Sequence, residues 1–208
     1  MSHKNFINTL IFGFVLIFLS SCYSLKDIKY MNKNIYLDKL ESIDPSFKKN
    51  DILLYVDIDK QSMIHLNKGK IQNVYPISSS SYGTGSKENS FKTPLGKHEI
   101  YKKIGYNLPE NAILKGRVWN GAIADIIKEP IDTDFDHVTS RILWLDGLEI
   151  GKNKGKGIDS RNRFIYIHGT AEEGLIGKPA SDGCIRMYNS DVIKLFDLVD
   201  EKAQVWIY

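Results

Sequence analysis

Between Asp51 and Ser78 the chain reads DILLYVDIDKQSMIHLNKGKIQNVYPIS, short runs of β-branched, aliphatic and tyrosine residues broken at Asp59-Lys60 and at Asn67-Lys68-Gly69-Lys70. Runs this short do not make helices of ordinary length. The breaks carry residues that turn a chain, so the segment reads as antiparallel strands joined by hairpins. A polar Gly/Ser-rich loop follows from Ser78 to Ser90, and Pro94 and Gly96 bend the chain before a strand near His98 to Ile104. Later strands are expected at Ile142 to Leu145, turned by Asp146-Gly147, at Phe164 to His168 and at Gln204 to Tyr208. One helix is clear: after Asn189 or Ser190 as cap, Val192, Leu195, Phe196 and Val199 share one helical face. The expected fold is therefore mostly β (β-rich α+β), with one or two helices, over residues 51–208. Asn107 to Thr139 carries no sustained pattern and reads as a long loop or a small helical insertion.

The N-terminus has a different character. MSHKNFINTLIFGFVLIFLSSC has a short basic start and an apolar run from Phe6 to Leu19, too short for a comfortable membrane span and suited to a signal peptide. Leu19-Ser20-Ser21-Cys22 then resembles a bacterial lipobox, in which the cysteine is acylated after cleavage. Residues 1–21 are thus expected to be a lipoprotein signal peptide and Cys22 the lipidation site, anchoring the chain to a membrane. The plainer reading is a signal peptide that happens to contain a cysteine. Residues 22–50 are polar, lysine-rich and mostly aperiodic, and read as a tether with a flexible span of roughly 30 Å, although YLDKLESI could make two turns of helix.

With Lys and Arg at 28 against Asp and Glu at 25, the formal charge is +3, too near neutral for a nucleic-acid binder. GKNKGKG, the densest basic run, has no aromatic residue on which a base could stack, and no P-loop hydroxyl.

If Cys22 is lipidated, Cys184 is a lone thiol in an exported, oxidising compartment, which points to a reactive group rather than a disulfide with Cys22. A cysteine attacks as its thiolate and needs a neighbour to take the proton. FIYIH places His168 at the end of a strand, and SDGC places Cys184 after a glycine, joined by a loop long enough to fold back. Gly183 leaves room for a substrate carbonyl, and the Gly183 and Cys184 N–H groups can converge as an oxyanion hole. Spacing alone leaves open the alternative that Cys184 is a small buried hydrophobe and His168 a satisfied interior residue.

IHGT followed by PASDGCIRM resembles the signature of the L,D-transpeptidase catalytic domain family (YkuD-like), and ISSSSYGTGSKENSFKTPLGKHEI resembles that family's strand-loop-strand with its Thr-Pro-x-Gly turn. The resemblance covers about Asp51 to Tyr208 and implies a β-sandwich or barrel-like fold. It implies Cys184 as acyl-accepting nucleophile, His168 as base, the Gly169 carbonyl orienting the imidazole, and the Asp182 to Cys184 backbone as oxyanion hole. Arg186 would hold a substrate carboxylate or structure the loop, and Ser181 would shape the turn at the substrate site. Asp182 departs from the pattern, since the family usually has histidine or another basic residue there. A carboxylate so placed disfavours the thiolate and repels an acidic substrate, unless it binds the imidazole or points to solvent.

The implied reaction is transfer of the position-3 diaminopimelate carbonyl of a peptidoglycan stem tetrapeptide to an amine, with release of D-Ala. The product is a 3-3 cross-link or an anchored protein, and the chemistry needs no metal or organic cofactor. Water as acceptor would give an L,D-carboxypeptidase, and decay of the site would leave a non-catalytic peptidoglycan-binding lipoprotein. Enzymes of this kind are carbapenem targets. Tyr23 after the lipidated cysteine would sort the protein to an outer membrane facing the periplasm. DTDFDH lacks the later EF-hand ligands, the remaining histidines lack zinc spacing, and Trp119 is the candidate for muropeptide contact.

Overall fold

The structure, a computed structural model, describes residues 35–208; the expected signal peptide, the expected lipidation site Cys22 and the first part of the 22–50 segment lie outside the described residues. The first hairpins follow the sequence. Strands β1 (Ile52–Asp57), β2 (Ser62–Asn67) and β3 (Lys70–Pro76) form a meander, and Asn67 pairs with Lys70. Lys68 and Gly69 lie at φ 47° and 72°, the left-handed pair that a two-residue hairpin turn requires.

The remaining strands are β4 (Gly96–Ile104), β5 (Ala112–Lys115), β6 (Val118–Ile123), β7 (Val138–Gly147), β8 (Tyr166–Thr170), β9 (Ile185–Met187) and β10 (Gln204–Ile207). They make one mixed sheet in the order β3-β2-β1-β10-β4-β7, and β8 and then β9 continue from the other edge of β7. The β5–β6 hairpin attaches to the start of β7 through Ile113 and Thr139. Beyond β3, Ser78 exchanges two backbone hydrogen bonds with Arg186 of β9 (2.9 and 2.8 Å), so the sheet curls round to meet itself. This is the mostly β, barrel-like architecture expected.

Strand alternation sorts side chains to the two faces. Inward, Leu54, Val56, Leu143, Leu145, Ile165, Ile167, Ile185, Met187, Val205 and Ile207 form the main core with Val192, Leu195 and Phe196 of a helix at Asn189–Leu198. Outward, β1, β2 and β10 present Leu53, Tyr55, Ile64, Leu66 and Trp206, and β7 and β8 present Ile142, Trp144 and Tyr166.

The outward patch on β1, β2 and β10 corrects the tether. Residues 35–43 form a helix, α1, followed by a 3₁₀ turn at Pro45–Lys49, and Tyr36, Leu40 and Phe47 are buried against that patch. Each such side chain contributes about 1.5–3 kcal/mol by burial, enough to hold a short helix. Asp44 accepts the Ser46 N–H (2.8 Å) and pairs with Lys97 of β4. Residues 35–50 therefore pack onto the sheet rather than standing off it as a free linker. The helix at Asn189–Leu198 is α2.

Two further expectations change. Asp146-Gly147 is the end of β7, paired with Glu99 and His98, rather than a turn. The segment 107–139 holds the β5–β6 hairpin rather than a helix.

Candidate active site

Parallel pairing of β8 with β9 sets His168 opposite Arg186 and Ile167 opposite Ile185. Ile167 and Ile185 point into the core, so Tyr166, His168, Cys184 and Arg186 share the outward face. Cys184, the residue before β9, is thus diagonal to His168 across the β8–β9 register.

His168 is buried, and its Nδ1 lies 2.7 Å from the Gly169 carbonyl. A carbonyl can only accept, so Nδ1 carries the proton and Nε2 presents a lone pair. Burial holds the His168 pKa below its usual value; Asp136 and the Gly169 carbonyl act against this, and Arg186 acts with it. Gly169 must be glycine here: a Cβ would come 2.4 Å from Asn189 Oδ1 and 2.9 Å from the Thr139 carbonyl. Buried Asn189 fixes that wall, accepting from Thr139 Oγ1 and Ser140 Oγ (2.6 Å each) and donating to the Thr170 carbonyl (2.7 Å).

Cys184 is a free thiol, and its residue is only partly exposed. The sulfur receives the Tyr166 N–H at 3.3 Å and lies 3.5 Å from the Phe164 carbonyl. Burial pushes its pKa up to about 12, opposed by the Tyr166 N–H; Asp136 raises it further, and Arg186 and Arg163 oppose. At neutral pH the resting pair is therefore a thiol and a neutral imidazole, not an ion pair.

The turn before the cysteine is built by Ser181 and Thr93. Buried Ser181 donates to the Cys184 carbonyl (2.6 Å) and accepts the Gly183 N–H (3.2 Å), while Thr93 Oγ1 donates to the Gly183 carbonyl (3.1 Å). Gly183 has φ 117°, a conformation that a residue with a side chain rarely adopts. Ser181 is thus committed to the turn rather than to substrate. The Gly183 N–H is also engaged, whereas the Asp182 and Cys184 N–H groups have no partner among the described residues.

Of the two roles expected of Arg186, structuring the loop is the one its contacts match. Its guanidinium is buried and both arms are taken, Nη1 by Glu172 (2.8 Å) and Nη2 by Asp136 (3.0 Å). Glu172 also accepts from the Thr133 N–H (2.7 Å) and hydroxyl (2.6 Å). Arg186 thereby ties the 131–137 loop to β9 and cannot meet a substrate carboxylate without leaving the buried Glu172 carboxylate unpaired. Asp182 is exposed and has no hydrogen bond to His168 among the described residues. Partial withdrawal of its carboxyl from water raises its pKa, and the like charge of Asp136 adds to this.

Sequence reasoning missed Glu172, Asn189 and Arg117. The first two are recognisable only once the chain is folded, and Arg117 sits in the segment without periodicity. Thr93 was visible as part of TPLG, but only as a turn. Trp119 is partly exposed on the outer strand of the hairpin, and its indole N–H donates to the Ala122 carbonyl (2.9 Å).

Comparison with known proteins bears on this arrangement. Two Bacillus subtilis proteins, YqjB and YkuD, each named as a candidate L,D-transpeptidase, are 47% identical over 53 residues and 51% identical over 41 residues. Those segments cover 25% and 20% of this chain, and 28% and 25% of the relatives, so the chain matches about a quarter of the length of each. Among solved structures, an L,D-transpeptidase from Mycobacterium smegmatis aligns at TM-score 0.48 and 15% identity, over 76% of this chain and 59% of that one. One from Enterococcus faecium aligns at TM-score 0.46 and 20% identity, over 76% and 50%. The model of the YkuD family, described as the L,D-transpeptidase catalytic domain, matches residues 51–207, well over half of the sequence. The chain belongs to the YkuD family of L,D-transpeptidase catalytic domains.

Proposed function

We propose that the protein is a cell-wall L,D-transpeptidase with Cys184 as nucleophile and His168 as base. The observation that carries this reading is the shared outward face of β8 and β9, with the His168 tautomer held by the Gly169 carbonyl so that Nε2 is the acceptor. Because thiol and imidazole rest neutral, proton transfer accompanies attack rather than preceding it. Sγ bonds to the carbonyl carbon of the position-3 residue, and its proton passes to Nε2. The bond to the terminal D-Ala breaks, its amine leaves with that proton, and a thioester remains. An acceptor amine then attacks the thioester and gives up a proton through His168, and the thiol returns. The Cys184 N–H, with that of Asp182, would hold the oxyanion, since neither has a partner among the described residues.

The full chain incubated with a diaminopimelate tetrapeptide should release D-Ala and show, by intact mass, a transient adduct that Cys184→Ala loses. Release of D-Ala with no amide product would make it a carboxypeptidase. Sacculus binding with neither adduct nor release would sink the enzyme reading in favour of a binding module.

The N-terminal reading extends this proposal to a lipoprotein anchored at Cys22 in the cell envelope, facing the periplasm. Labelled palmitate should enter the native chain and be lost in Cys22→Ser; an unlabelled native chain would refute the anchor.

A further inference from the structure

A donor peptide that ends in a free carboxylate needs a cation near the thiol, and Arg186 is spent on Glu172 and Asp136. Arg117 is differently placed. Lys115 pairs with Val118, so Gly116 and Arg117 form the two-residue tip of the β5–β6 hairpin, at φ 58° and 70°. Such a tip suits Asn-Gly, and an arginine in its second position is held in a conformation that side-chain-bearing residues rarely adopt.

That turn brings the guanidinium to the outward face of β7 and β8. Its central carbon lies 4.8 Å from the Trp144 ring centre and 4.9 Å from that of Phe164, and Nη1 donates to the Tyr166 hydroxyl at 3.0 Å. No carboxylate pairs with it among the described residues. The other arginines are engaged: Arg161 with Asp146, Arg186 with two carboxylates, and Arg141 and Arg163 with backbone carbonyls.

The residues that hold the guanidinium also touch the thiol. Phe164 and Tyr166 meet Cys184 Sγ through their backbone carbonyl and N–H. The Tyr166 oxygen accepts from Arg117, so its own proton remains to donate. Burial holds the phenol pKa above its ordinary value, against the effect of Arg117, and keeps that proton in place.

We propose that Arg117 and the Tyr166 hydroxyl are the carboxylate-recognition element of this site, receiving the C-terminal carboxylate of the donor peptide beside Cys184. The identity of the donor rests on the transpeptidase reading; the anion site itself does not. A planar fork with free N–H donors, fixed between aromatic faces and partly withdrawn from water, suits a carboxylate.

Two alkylating reagents that differ in one group test the site without any turnover. Iodoacetate carries a carboxylate where iodoacetamide carries an amide, and both are attacked by Sγ with loss of iodide. The rates are read by mass on the Cys184-containing peptide of the full chain. Arg117→Gln should lower the iodoacetate rate roughly tenfold relative to iodoacetamide, the scale of one charge-assisted contact. Arg161→Gln removes the same charge from a paired arginine and should leave the ratio unchanged. Tyr166→Phe should lower it by a smaller factor, and it preserves the test if Arg117→Gln does not fold. An unchanged ratio in Arg117→Gln and Tyr166→Phe, or an equal fall in Arg161→Gln, overturns the proposal.

A second arm identifies the natural carboxylate. The tetrapeptide should be a better donor than its C-terminal amide, and Arg117→Gln should erase that preference mainly through KM. If neither peptide is turned over while the alkylation ratio still responds, the transpeptidase reading fails and the anion site stands. If both peptides react equally in the native chain, the assignment to the C-terminal carboxylate falls.

Discussion

Cys184 is a nucleophile candidate that does not rest as a thiolate. Its pKa is pushed up to about 12, so the thiolate fraction rises about tenfold per pH unit through the neutral and alkaline range. Alkylation by iodoacetamide should therefore climb steadily with pH and show no plateau near neutrality; a plateau there would reveal a thiolate-imidazolium pair instead. Donor turnover should behave differently on the acid side. Because burial lowers the His168 pKa, the imidazole stays an available base below its ordinary range of about 6.5, and activity should persist there. His168, Gly183 and Cys184 were legible as a candidate set, because a strand end, a glycine and a thiol leave a local pattern; the Gly169 carbonyl entered only through the family resemblance. Which of its two expected roles Arg186 takes was not legible. Its partners are Glu172, fourteen residues earlier, and Asp136, and no charge pattern along the chain connects the three.

At the scale of elements, α1 and the β5–β6 hairpin were the hardest to read, for opposite reasons. In 35–50 the signal was present but thin: Tyr36, Leu40 and Phe47 share a helical spacing, yet they stand among lysines and acids that resemble a solvated linker. Their apolar partner surface lies on three strands elsewhere in the chain. In the hairpin, the bulge between Ala112 and Leu114 interrupts the alternation, and Gly-Arg replaces the usual turn pair. Leu40 is fully buried under α1, so Leu40→Ala should cost about 2–5 kcal/mol in urea unfolding. The iodoacetamide rate at Cys184 should be unchanged, because the helix covers β1, β2 and β10 rather than β8 and β9. An unaltered unfolding midpoint would show that α1 is not part of the cooperative unit.

For the whole molecule, the meander β1 to β3 and most later strands could be placed from punctuation alone, while their order could not. Hairpins are local, but β10 enters between β1 and β4, pairing in parallel with one and antiparallel with the other. Nothing near Gln204 announces partners about 150 and 100 residues away, because a parallel partner leaves no turn in the sequence. That central position of β10 has a temporal meaning. The middle of the sheet is missing until residues 204–207 are available, and β9 is fixed by Ser78, which closes the curl from the other side. Contacts of such long sequence separation form late and together, since their loop-closure cost must be met before they repay it. A chain still emerging from the ribosome thus carries the Cys184 thiol without its neighbours on β8 and without the turn that Ser181 and Thr93 build. Completion of the fold gives that thiol its neighbours and, by burying it, takes it out of the ordinary titration range of a cysteine.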